Sequence, residues 1–140
     1  MTMAEPDNAA DLGPAARRLA DLVAHIPDGA LGRPTPCPAY ALGDLIEHVG
    51  GMALAFTAAA RKERNAYTDM AAAGDASRLG AEWRERIPRD LSALARAWAD
   101  PAAWTGMTRI AGDDTPAGVV GLAGRDPGWS PAWPAAPVVP

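Results

Sequence analysis

Arg33-Pro34-Thr35-Pro36-Cys37-Pro38-Ala39-Tyr40, running straight into Ala41-Leu42-Gly43-Asp44-Leu45-Ile46-Glu47-His48-Val49-Gly50, is the stretch that decides the fold of this chain. Prolines at alternate positions fix φ near −65° and push each preceding residue towards extended geometry, which gives a stiff, non-helical lead-in. Directly after it, Leu42, Leu45, Ile46, Val49, Met52, Ala53 and Phe56 recur at the spacing of one helix face. The spacing predicts a helix from Ala41 to about Asn65. His48 falls beside that stripe, with Asp44 one turn before it and Met52 one turn after. A histidine there suits a metal site inside a helix bundle, and it is also a common structural residue.

The residues around it predict more helices. Leu12, Ala16, Leu19, Leu22, Val23 and Ile26 mark one face of a first helix from about Gly13 to Ala24, with Pro14 in its first turn and His25 as a surface or end-cap residue. Gly50 and Gly51 sit inside the second helix and cost it about 1 kcal/mol each relative to alanine, tolerable where another helix or a ligand comes close. Arg61 to Arg64 reads as a solvated terminus, and Asn65 to Ala76 as a connector. Leu79, Trp83, Ile87, Leu91, Leu94 and Trp98 predict a third helix over Ser77 to Ala99, its tryptophans in the core, with Pro88 kinking or splitting it.

Trp104 to Gly112 reads as turn with strand character at Met107 to Ile110. Asp113-Asp114-Thr115-Pro116 reads as the opening of a fourth helix, Thr115 as its cap and Pro116 as its first residue. Gly118, Gly121 and Gly124 then weaken that helix, and Pro127 ends it. The expected organisation is a flexible lead (1–10), a helical domain (11–123) and an irregular, extended or disordered tail (124–140). From Asp126 on, the tail holds five prolines, Trp129 and Trp133, and neither His nor Glu.

Composition narrows the function classes. A length of 140 residues allows one domain, and 49% hydrophobic residues supply a core, although alanine provides much of it. The net charge of −4 gives no electrostatic reason to expect nucleic acid or an anionic membrane surface. No apolar run approaches the ~18 residues of a membrane span. The acidic, polar start lacks the basic and apolar regions of a signal peptide, and Cys37 has no partner for a disulfide, so a cytoplasmic setting is expected. Lys62 is the only lysine among thirteen Lys and Arg residues, which, with the abundant Ala, Gly and Pro, suggests a GC-rich genome. Cys37 reads as a small hydrophobe between prolines before it reads as a reactive thiol, although Arg33 and the coming helix start lie close in sequence. No catalytic triad, phosphate loop or CxxC pair is present.

Thr35-Pro36-Cys37-Pro38-Ala39-Tyr40, then Asp44-Leu45-Ile46-Glu47-His48-Val49, resembles the opening of the mycothiol-dependent maleylpyruvate isomerase-like proteins of the DinB-like superfamily. That family reads T-P-C-P-x-W-[TS]-x-x-D-L-x-x-H-V here, and the likeness weakens towards Leu122. Tyr40 stands where the family has tryptophan. Ala41 stands where it has Ser or Thr, giving up a hydroxyl cap of about 1 kcal/mol.

The resemblance implies an all-α, up-down four-helix bundle holding a divalent metal, usually zinc, through His48 and through a carboxylate and a histidine on a later helix. It also implies actinobacterial mycothiol as thiol cofactor, and a small-molecule electrophile to which a metal-bound thiolate adds. The expected later segment, of the type D/E-x-x-x-H-G-W-D, is missing. Val119 to Ala123 leads instead into Gly124-Arg125-Asp126-Pro127-Gly128-Trp129-Ser130, and no histidine follows His48.

His48 is therefore the one family ligand that carries over. Asp126 is the nearest spare carboxylate, and Asp44 is better suited to favouring the helix start or orienting the imidazole. The fourth helix is expected to be short or missing, with a frame shift near Gly124 as one explanation. Three functions follow: a metal- and thiol-dependent enzyme, a non-catalytic metal- or small-molecule-binding bundle, or an inactive bundle with apolar surface left open. A homodimer is an open possibility in each.

Overall fold

Residues 11–69 and 73–125 are described by the computed structural model, with backbone alone for 123–125. Helix α1 (Gly13–Ala24) forms where the first apolar stripe predicts it, Pro14 entering its first turn without needing a donor. Ala16 and Val23 are buried, whereas Leu22, expected on the same face, is 61% exposed. That face is narrower than the stripe because, among the described elements, α1 packs chiefly on the later helix α4 described below.

The proline-rich lead closes into a pinched loop. Pro34 bridges Ala41, and the Leu42 amide donates to the Arg33 carbonyl at 2.8 Å. The Thr35 hydroxyl lies between the Cys37 and Tyr40 carbonyls at 2.9 and 2.8 Å and accepts from the Cys37 amide. Helix α2 (Leu42–Ala60) then starts at Ala41. The missing hydroxyl cap is partly replaced from the other side, since the Asp44 carboxylate accepts from the Ala41 amide at 3.0 Å.

Over its second half α2 is buried on all sides, Ala55 to Ala60 included, because it is the central helix of the domain. Small residues there let neighbours approach: a Cβ on Gly50 would lie 3.1 Å from the Ile87 side chain. The expected close approach of another helix thus holds at Gly50.

After α2, Lys62 takes a left-handed φ of 61° and its ammonium reaches the Ala102 and Ala103 carbonyls. The exposed terminus from Arg61 to Arg64 is therefore tied to the short turn Pro101–Trp104. Within the connector a one-turn helix α3 (Ala66–Asp69) forms, capped through Asn65. The third long helix begins later than the expected Ser77: a short 3₁₀ turn (Ala76–Arg78) comes first, then α4 (Trp83–Trp98).

Pro88 lies inside α4 without splitting it. Trp83, Ile87, Leu91, Leu94 and Trp98 form its buried stripe, against α1 on one side and α2 on the other. Trp98 is fully buried, and its indole N–H donates to the Phe56 carbonyl at 3.0 Å. This satisfies the polar atom that burial would otherwise penalise. The tryptophans are core, as expected.

The largest departure from the expected elements lies at Asp113 to Pro116. These residues do not open a helix: they form β2 (Asp113–Pro116), antiparallel to β1 (Met107–Ile110). Ala111 and Gly112, with φ of 54° and 84°, make the two-residue turn, and positive φ at both positions matches the right-handed twist of a tight hairpin. Thr115 pairs with Thr108 instead of capping a helix, and Thr108, buried, donates to the Ala59 carbonyl at 2.7 Å. The Thr-Pro pair imitates a cap followed by a first helical residue, while Ala-Gly is a weak hairpin signal.

Helix α5 (Ala117–Arg125) follows directly. Its glycines, expected to weaken it, are where it meets Trp104: a Cβ on Gly121 would lie 2.5 Å from the indole ring. Gly124 and Arg125, assigned to the tail by the sequence reading, are still helical. The expected lead (1–10) and the rest of the tail, Asp126 and any frame shift among them, fall outside the described residues. The domain is an all-α bundle with one small hairpin, and among its described residues no helix is long and apolar enough to cross a membrane.

The His48 cavity and its cover

His48 projects from the first half of α2, half-buried, where the prolines before it and the 73–78 segment after α3 converge. The Tyr40 ring lies beside the imidazole, ring centres 5.8 Å apart and tilted by 47°. The Tyr40 hydroxyl accepts from the Gly74 amide at 2.9 Å. Tyrosine in place of the family tryptophan thereby supplies a hydrogen-bond acceptor that indole lacks.

Gly74 lies against α2 so closely that a Cβ would sit 2.2 Å from the Asp44 carbonyl and 2.9 Å from the His48 Cβ. No other residue type fits that crossing unaltered.

Two carboxylates on α2 hold the cover down. Asp44 accepts from the Ala76 amide at 2.8 Å with one oxygen and from the Ala41 amide with the other. Glu47 accepts from the Asp75 amide at 2.9 Å and pairs with Arg78 at 3.3 Å. Asp75 in turn accepts from the Ser77 hydroxyl and amide, bonds that hold its carboxyl below the usual carboxylate range, with Arg78 assisting. Asp44 fulfils its expected role at the helix start, and its second oxygen anchors a loop.

On the other side of Glu47 and His48 a cavity of about 700 Å³ opens between α2 and α4. Gly50, Gly51 and Met52 form its wall on α2, and Arg86, Arg89 and Asp90 its wall on α4. Arg86 pairs with Asp90 at 3.2 Å. Sequence reasoning singled out His48 but missed Glu47, Arg86 and Arg89. The available signal was the i,i+3 spacing of the two arginines on one predicted helix, beside its apolar stripe.

The expected metal centre fares differently. Among the described residues no three His, Cys, Asp or Glu side chains come together as a group able to hold a metal ion. His25, at the end of α1, hydrogen-bonds the Asp21 carbonyl at 2.8 Å and is exposed. Cys37 is a free, partly exposed thiol in the proline loop.

Comparison with known proteins gives one family. The model of the mycothiol maleylpyruvate isomerase N-terminal domain matches residues 12–126, which span α1 to the end of α5. No curated protein and no solved structure matches significantly.

Proposed function

This chain belongs to the mycothiol maleylpyruvate isomerase N-terminal domain family, and on that premise we propose that it is a DinB-like small-molecule-binding bundle whose working face is the His48 cavity. It is related to thiol-dependent isomerases and transferases, and its metal centre is incomplete. The observation that carries the reading is the cavity itself, about 700 Å³ with His48 in its wall and with polar and apolar groups converging on it.

The family implies zinc or another divalent ion. A catalytic zinc takes three protein donors and leaves a further position open. His48 fits as one donor. Its acidic neighbours do not fit, because Asp44 spends both oxygens on backbone amides and Glu47 is held by Asp75 and Arg78. The residues described thus support a partial ligand set. A second copy of the chain, or a ligand's own sulfur, would have to supply the rest, which keeps a homodimer within this proposal.

The chain's own residues do the following work. Tyr40 and Gly74 fix the imidazole's surroundings, the 73–78 segment excludes water from one side, and the glycine-floored cavity receives the small molecule. Mycothiol or its electrophilic partner is the proposed occupant.

The test is a titration of metal-free protein with mycothiol, read at the His48 ring resonances. Saturable shifts are expected, and they vanish in a variant with the cavity filled. Unchanged His48 resonances at millimolar thiol contradict the reading. Thiol-dependent turnover of an electrophile then separates an enzyme from a binding module.

A further inference from the structure

Residues 73–78 lie across α2 on top of His48, yet no buried side chain of theirs holds them there. None of the six is buried, whereas the next residue, Leu79, is 5% exposed and sits in the core. Two glycines set the closeness of the crossing. Gly74 lies against the Asp44 carbonyl and the His48 Cβ, and a Cβ on Gly43 would stand 3.0 Å from that of Ala76. A crossing made at glycines has no large side chain to withdraw from a pocket when it separates.

The hold is polar. The amides of Gly74, Asp75 and Ala76 donate in turn to the Tyr40 hydroxyl, the Glu47 carboxylate and the Asp44 carboxylate. Arg78 adds its ion pair with Glu47. Among the described residues no backbone–backbone hydrogen bond joins the segment to α2. Within itself the segment is well tied. Asp75 accepts from the Ser77 amide and hydroxyl, the Arg78 amide donates to the Asp75 carbonyl, and the Arg78 guanidinium donates to the Ala73 carbonyl. Segments with few buried apolar contacts open below the global unfolding free energy, and they do so in contiguous units.

We infer that residues 73–78 are a strap that lifts off α2 as one piece while the bundle stays folded, and that its opening uncovers His48. The buried Leu79 is the fixed end, and Tyr40, Asp44 and Glu47 are the latch. Glu47 joins the strap to the cavity: its carboxylate takes the Asp75 amide and Arg78, and Glu47, Arg78 and Leu79 all line the cavity wall. Opening therefore widens the cavity from the strap side and gives a small molecule a second route to the imidazole. The device goes beyond the small-molecule reading and is seen without any occupant.

The experiment measures amide hydrogen exchange and histidine carbethoxylation by diethyl pyrocarbonate on the whole, ligand-free protein. His25, exposed and the only other histidine, is the internal reference for the second readout. The Gly74, Asp75 and Ala76 amides are expected to share one protection factor, far below that of Leu91 in α4. Tyr40→Phe keeps the ring and removes one latch, so it should lower protection at all three amides together by roughly tenfold. It should raise His48 modification relative to His25 by a similar factor and leave Leu91 as protected as in the parent. Glu47→Ala, which removes the Arg78 pair as well, should act in the same direction on all three amides.

A change confined to Gly74 in Tyr40→Phe overturns the inference, because the amides are then held separately. An equal loss of protection at Leu91 overturns it too, since the whole domain then opens. So does an unmoved His48 to His25 ratio with the three amides loosened, which would mean that the strap does not cover the imidazole. Each of these outcomes leaves the mycothiol titration of the cavity to be judged on its own result.

Discussion

At the scale of single residues, His48 is defined by what crosses over it. Gly74 has no room for a Cβ, and the obstruction is backbone, the Asp44 carbonyl, which cannot swing aside. Gly74→Ala is expected to cost about 1–3 kcal/mol by overpacking and to lift the 73–78 segment off α2. Chemical denaturation and hydrogen exchange at Ala76 would record both effects, and unchanged protection would contradict them. Asp75 carries a pH signature. Its carboxyl is held below the usual range by Ser77, so its contribution is fully present above the unfolded aspartate value and is lost as pH falls through the lower folded value. Ser77 amide protection should therefore stay constant through neutral pH and drop only below the ordinary aspartate range, and Asp75→Ala should remove that dependence. His48 was legible from sequence because its neighbours matched a dense motif. Its cover was not, since Gly74, Asp75 and Ala76 sit in a stretch with no periodicity, and their bonds to Asp44, Glu47 and Tyr40 span about thirty residues.

At the scale of elements, the long helices followed their apolar spacing and the hairpin escaped it. Periodicity reports a buried stripe, so α1, α2 and α4 declared themselves through Val23, Phe56, Leu91 and Trp98. Two four-residue strands carry no comparable signal, and Thr115-Pro116 copies a helix start. Pro88 was expected to kink or split α4, and the helix is not split, because its buried stripe runs on both sides of the proline. Gly121 was read as helix-weakening, when tertiary contact with Trp104 requires it. The hairpin also has a correctable weakness. Ala111 is held at a φ of 54°, where a Cβ is unfavourable, and the mirror-image turn prefers Asn-Gly. Ala111→Asn should stabilise the domain by about 0.5–1 kcal/mol, seen as a raised melting temperature. A lowered one would mean that the hairpin turn differs from the one described.

At the scale of the whole molecule, one helix organises everything. Helix α2 is packed against α3, α4, α5 and β1, and Trp98 ties α4 to it through the Phe56 carbonyl. Trp98→Ala should cost about 3–5 kcal/mol, measured by urea unfolding; a loss under 1 kcal/mol would place that ring outside the core. Around this frame the chain matches its family over residues 12–126, and the described residues form the helical bundle. Glycines and arginines line the cavity beside His48, and the Asp44 and Glu47 carboxylates are engaged by backbone amides and Arg78. The central proposal is that this chain carries a small-molecule cavity with only part of a metal ligand set. Its most direct test is the zinc content of freshly purified, monomeric protein, compared with His48→Ala. The account predicts far less than one zinc per chain, with no difference between the two proteins. One tightly held zinc per monomer, lost in His48→Ala, would contradict it.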